Sequence, residues 1–147
     1  MRTVVHIILV ALLASSLSAV QAQASAAAPQ RVEDEQCGEF SQAGRHDCFS
    51  KLHAKSTVSL KKAEAAALQK IAQWFENDRY KNIARTTMRS AGVAFVRYRE
   101  AKCAFADSLR GGAIGNAHEI SRLACLGAAN TERALELKRY TDHFQPD

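Results

Sequence analysis

The chain has 147 residues, with 20 Lys plus Arg against 15 Asp plus Glu, a formal charge of +5, and 47% hydrophobic residues. That length holds one domain with a single modest core. The basic excess is mild and lacks the dense Lys/Arg runs of a nucleic-acid arm, so nucleic acid is excluded as a partner.

Met1-Arg2 carries one positive charge, and the apolar run VVHIILVALLASSLSAV follows it. Ala22 and Ala24 satisfy the small-x-small cleavage rule, so residues 1–24 read as a secretory signal peptide. The run is short for a membrane span and has no basic stop-transfer flank, so no stable membrane insertion is expected after cleavage. No cysteine lies near the cleavage point, which excludes acylation of the new N-terminus. Removing residues 1–24 leaves 123 residues with a formal charge of +4. The expected location is the periplasm or the exterior, with residues 25–36 a flexible leader and 37–147 a single helical domain.

The four cysteines, Cys37, Cys48, Cys103 and Cys125, all lie in the mature part. An even count in a small exported chain reads as two disulfides, for which three pairings exist. No C-x-x-C pair occurs, and His46, His53, His118 and His143 form no i, i+4 pair, so no metal and no cofactor is expected.

Glu33, Asp34 and Glu35 place negative charge where a first helix can begin. Gly38 and Gly44 imply that any helix between Cys37 and Cys48 is short or broken. From Thr57, the residues Leu60, Ala63, Ala67, Leu68, Ile71, Trp74 and Phe75 recur at three and four positions, which predicts an amphipathic helix to about Asp78. Ser56 or Thr57 is its expected cap. A second series runs through Ala84, Met88, Ala91, Phe95, Tyr98, Lys102 and Phe105 to Leu109, with the Lys102 stem lying along the seam. Gly111-Gly112 stops it. A last helix starts near Asn116 and carries Ile120, Leu123, Ala124, Gly127, Ala134 and Leu137. No stretch alternates as a strand would. The predicted fold is all-α, a small disulfide-stapled helical bundle with a C-terminal antiparallel helical hairpin.

Spacing selects the disulfides. Cys103 lies about 10 Å before the Gly-rich loop and Cys125 about 14 Å after Asn116, at 1.5 Å per residue. In an antiparallel hairpin they face each other at similar height. A disulfide needs Cα atoms about 5.5 Å apart, closer than ordinary helices pack. Ala101, Ala104, Ala124 and Gly127 are the small neighbours expected to permit this. Cys103 therefore pairs with Cys125, and Cys37 with Cys48 by elimination.

F-V-R-Y-R-E-A-K-C, then R-G-G-A-I-G, then C-L-G-A-A-N-T-E-R-A-L-E-L resembles the LprI-type lysozyme inhibitor family. The resemblance runs through Phe95, Tyr98, Arg99, Glu100, Cys103, Gly111, Gly112, Cys125, Thr131, Arg133 and Leu137. The family usually has Trp where this chain has Phe95, and Ser where it has Ala113. The resemblance implies an exported inhibitor of lysozyme-type peptidoglycan hydrolases, with a lysozyme or another peptidoglycan-targeting protein as partner.

The residues themselves carry no catalytic constellation: there is no G-x-S-x-G, no H-E-x-x-H and no phosphate loop, and the cysteines are used in bridges. A non-catalytic binding protein is expected. Tyr98 is expected to pack on the seam, with Arg99 and Glu100 flanking it. Arg99 is expected to pair with Glu132 or another carboxylate of the last helix, or else to contact a partner directly. Arg110, beside Gly111 and Gly112, has two readings. It neutralises the negative end of its helix, or it enters a lysozyme cleft and pairs with the two catalytic carboxylates. The candidate partner-binding residues are thus Arg110, Gly111, Gly112, Arg99, Glu100 and Arg133. Animal lysozymes are commonly basic, so such a contact needs local complementarity, and Glu33, Asp34, Glu35 and Glu39 form the acidic cluster available. Two alternatives share the sequence. One is an immunity or chaperone-like module for another envelope-directed protein. The other is a binder of an anionic envelope component through Lys51, Lys55, Lys61 and Lys62.

Overall fold

The structure, a computed structural model, describes residues 35–144. The expected signal peptide, most of the expected leader, Glu33, Asp34 and Pro146 lie outside the described residues. A helical turn at 35–38 precedes three long helices: α1 (Gln42–Gln73), α2 (Asp78–Ser108) and α3 (Ala117–Thr141). No strand occurs among the described residues, and the fold is an all-α bundle. No helix among them is long and apolar enough to cross a membrane.

Local chemistry sets the boundaries. Ser41 Oγ accepts from the Gly44 amide at 3.3 Å and starts α1. The helix therefore begins well before Thr57, contrary to the sequence expectation. Gly44 does not break it, because a glycine in the first turn costs little and the Cys37–Cys48 disulfide pins this end, with Cα atoms 5.8 Å apart. Ser56 and Thr57 lie mid-helix and donate to the His53 carbonyl at 2.8 and 2.9 Å. Trp74 turns extended and ends α1. Asn77 then caps α2, its Oδ1 accepting from the Tyr80 amide at 3.2 Å. After α2, Gly111 takes φ +56°, a left-handed conformation that glycine adopts without strain. α3 starts after Asn116, as its periodicity predicts.

α3 is the central element. It packs along α1, more lightly against α2, and α1 and α2 barely meet. Residues 123–130 of α3 are buried without interruption, so at that level it is enclosed on every side. One cluster gathers Phe49, Ile120, Leu123 and Ala124 around Cys37, with Cys48 and Leu52 against them. A second joins Cys103, Cys125 and Leu126, with Ala106 against them. Trp74 stacks on Phe144 at 4.8 Å, and Lys70 pairs with Asp142 at 2.8 Å, tying the end of α3 to the end of α1.

α2 departs from its predicted seam. Its sole buried residue is Cys103, and Tyr98, Phe105 and Leu109 face solvent. Tyr98 does not pack between helices. Ala101 and Ala104 are also exposed, and Ala106, Leu126 and the small residues of α3 surround the disulfide instead. An amphipathic period states which residues share a face, but not whether a neighbour covers that face.

Candidate functional site

The candidate residues separate into two places. The first is a polar staple where the three helices converge. Arg99 on α2 donates from Nη1 to Asn130 Oδ1 on α3 at 2.7 Å and from Nη2 to Glu100 Oε1 at 3.0 Å. Asn130 is fully buried, and its Nδ2 donates to Ser56 Oγ and Thr57 Oγ1 on α1, both at 3.2 Å. Arg122 Nη2 donates to Glu100 Oε2 at 2.9 Å. The hydrogen bond from Arg99 holds the Glu100 carboxyl below the usual carboxylate range, and Arg122 adds to this. Burial, helped by the charge of Arg99, pushes the His53 imidazole down.

Arg133 joins the same region from α3. It donates to Glu136 Oε2, 2.6 Å away, and Tyr140 donates to Glu136 Oε1 at 2.9 Å. Arg133 thereby keeps the Glu136 carboxyl low. The guanidinium carbons of Arg99 and Arg133 both lie 5.8 Å from the Phe95 ring centroid. Both side chains leave a buried Nε without an acceptor among the described residues. The electron-rich ring between them supplies an attraction that requires no acceptor.

The expected Arg99–Glu132 pair does not form. Glu132 takes Lys102 instead, at 3.6 Å, because Arg99 reaches inward to Asn130. Arg99 and Arg133 are thus drawn inward beside Phe95, and the half-exposed Glu100 ties α2 to α3 through Arg122. The expectation omitted Asn130, Ser56, Thr57 and Arg122. A signal for two of them exists, since Asn130 and Ser56 fall on otherwise apolar helical faces, where a polar residue needs a buried partner.

The second place is the tip of the α2–α3 hairpin. Cys103–Cys125 clamps it with Cα atoms 5.5 Å apart. Two further links close its base: Asp107 Oδ1 meets His118 Nδ1 at 2.9 Å, and Arg110 Nε donates to Ser121 Oγ at 3.2 Å. Arg110, Gly111 and Gly112 are all exposed. Arg110 has no salt bridge among the described residues. Leu109 and Ile114 flank this tip, both exposed.

All four cysteines are in disulfides. No group of three or more His, Cys, Asp or Glu that could hold a metal occurs among the described residues. What the arrangement provides is a stiff knuckle with a cation and apolar side chains at its surface.

No curated protein and no solved structure matches the chain. The family model described as lysozyme inhibitor LprI matches residues 33–137. That span takes in both disulfides, the polar staple and the hairpin tip, and it makes this chain a member of the LprI lysozyme inhibitor family.

Proposed function

We propose that this chain is an exported, non-catalytic protein of the periplasm or exterior that binds and inhibits a lysozyme-type peptidoglycan hydrolase. Residues 1–24 act as its signal peptide and 37–147 as its single domain. The observation that carries the reading is the clamped tip in a member of an inhibitor family: Arg110, exposed beside Gly111 and Gly112, on a hairpin fixed by the Cys103–Cys125 bridge. A lysozyme active site is an open cleft with two carboxylates. A guanidinium on a rigid protrusion suits such a target, because little conformational freedom is lost on docking. Arg99, Glu100 and Arg133 support this role indirectly, by fixing α2 on α3.

The test is a titration of lytic activity on a peptidoglycan suspension by the purified, oxidised protein. Stoichiometric loss of activity is expected, with at least a tenfold weaker effect for Arg110→Ala. Unchanged potency of that variant removes the role of Arg110, and failure of the unmutated protein against lysozyme-type hydrolases removes the reading itself. Binding of an anionic envelope component through Lys51, Lys55, Lys61 and Lys62, all exposed on α1, would appear instead as salt-sensitive retention on envelope material without inhibition.

A further inference from the structure

One flank of α2, beside the groove it makes with α3, is uncovered among the described residues. Tyr98, Phe105 and Leu109 are spaced by seven and four residues and so share one side of the helix. They are 61%, 67% and 72% exposed, and Ile114 in the following loop is 86% exposed. Single exposed apolar side chains need no explanation, but a row of them on one stiff element does. This row is backed by the Cys103–Cys125 bridge, so its backbone is fixed before any partner arrives.

The rim of the row is cationic. Arg97 and Arg110 face no carboxylate within salt-bridge distance among the described residues, and Lys102 has only the half-exposed Glu132 at 3.6 Å. The acids of this part of α2 are turned to other duties, Glu100 to Arg99 and Arg122, and Asp107 to His118. An aromatic and aliphatic centre with a polar rim is the usual make-up of a protein interface.

We propose that Tyr98, Phe105, Leu109 and Ile114, rimmed by Arg97, Lys102 and Arg110, form the docking ridge for an acidic protein surface. This rests on the inhibitor reading above and specifies its target: a hydrolase with an apolar pocket beside an acidic cleft margin. A second copy of this chain fits poorly, because it would bring like-charged rims together. A bilayer fits poorly too. The apolar row from Tyr98 to Leu109 is only about 16 Å long at 1.5 Å per residue, and the same face continues through Ala94, Ser90 and Thr87, which give a lipid surface little to bury.

The experiment measures inhibition and direct binding of one acidic and one basic lysozyme-type hydrolase. The intact protein is compared with Phe105→Glu/Leu109→Glu, with Phe105→Ala/Leu109→Ala, and with Val58→Glu on α1 as a control for an exposed apolar residue elsewhere. All three replaced side chains are exposed, and retained melting temperature establishes that each variant folds. Expected is tighter binding to the acidic enzyme, at least fivefold weakening between about 50 and 500 mM salt, a loss of at least a hundredfold for the Glu pair and tenfold for the Ala pair, and no change for Val58→Glu. Inhibition by the intact protein that the Glu pair leaves unaltered overturns the ridge while preserving the inhibitor reading. Salt-insensitive preference for the basic enzyme overturns the acidic partner. No inhibition of either enzyme overturns both readings. Ridge-dependent dimerisation, or ridge-dependent binding to phosphatidylglycerol vesicles in place of the hydrolase, assigns the ridge to another occupant and overturns the proposal.

Discussion

Replacing Asn130 by Ala probes the centre of the bundle. This side chain is fully buried and touches all three helices: it accepts from Arg99 at 2.7 Å and donates to Ser56 and Thr57 at 3.2 Å each. Alanine removes all three bonds. A bond to a charged group contributes about 1.5–3 kcal/mol and a neutral one about 0.5–1.5 kcal/mol. The two hydroxyls keep their bonds to the His53 carbonyl and Arg99 Nη2 keeps Glu100, but Arg99 Nη1 loses its acceptor, beside an Nε that already lacks one among the described residues. The expected loss is about 3 kcal/mol, or about 10–15 °C in melting temperature for a domain of this size. Urea unfolding with both disulfides oxidised measures it, and the slope with urea should not change if the unfolding remains two-state. Asn130→Asp keeps an acceptor for Arg99 and should recover part of the loss at neutral pH. A loss below about 0.5 kcal/mol for Asn130→Ala, the size of an ordinary surface substitution, would refute the assignment of Asn130 as the junction.

Removing the Cys103–Cys125 bridge, which spans 22 residues, by a double Ala replacement should cost about 3 kcal/mol. Amide exchange between residues 104 and 124 should accelerate most, and uniform acceleration along α1 would contradict a local clamp. Stability should fall with acid. Glu100 and Glu136 lie below their ordinary 4.5, through Arg99 and Arg133, and His53 lies below its ordinary 6.5, through burial and Arg99. In each case the unfolded chain binds protons first. The stabilisation is therefore complete above 6.5, begins to decline below that value through His53, and declines further below 4.5 through the carboxylates. A urea midpoint that rises on going from neutral pH to pH ~4 would contradict these shifts. Gly111→Ala should cost about 1 kcal/mol because of its φ of +56°, although no atom stands in the way. Gly112→Ala, with an ordinary φ and open space, should be neutral or slightly stabilising in the same melt.

The sequence makes the hairpin legible because two constraints coincide there. Glycine spacing places the turn, and cysteine spacing places the clamp, each on a helix whose rise is known. The same holds for the buried stripe of α3, where Ile120, Leu123, Ala124 and Leu137 repeat at helical intervals. The start of α1 is only partly legible: the helical turn does end at Gly38, as expected, but Gly44 also looks like a breaker, and only the disulfide and the Ser41 cap show that it is not. Nor is the exposure of α2. Its period marks a face, but α3 spends its contact surface mainly on α1, which leaves Tyr98, Phe105 and Leu109 uncovered. The role of Arg99 turned on Asn130, a residue whose position on an apolar face carried the signal, while Glu132 carried the charge that made it the more obvious partner.

The most direct test of the central claim is the activity of a lysozyme-type hydrolase titrated with the purified, oxidised protein. Membership of an inhibitor family together with a clamped cationic tip predicts that activity falls in proportion to added protein and reaches its floor near one equivalent. Undiminished hydrolysis at a large molar excess, with both disulfides intact and the protein folded, would contradict it.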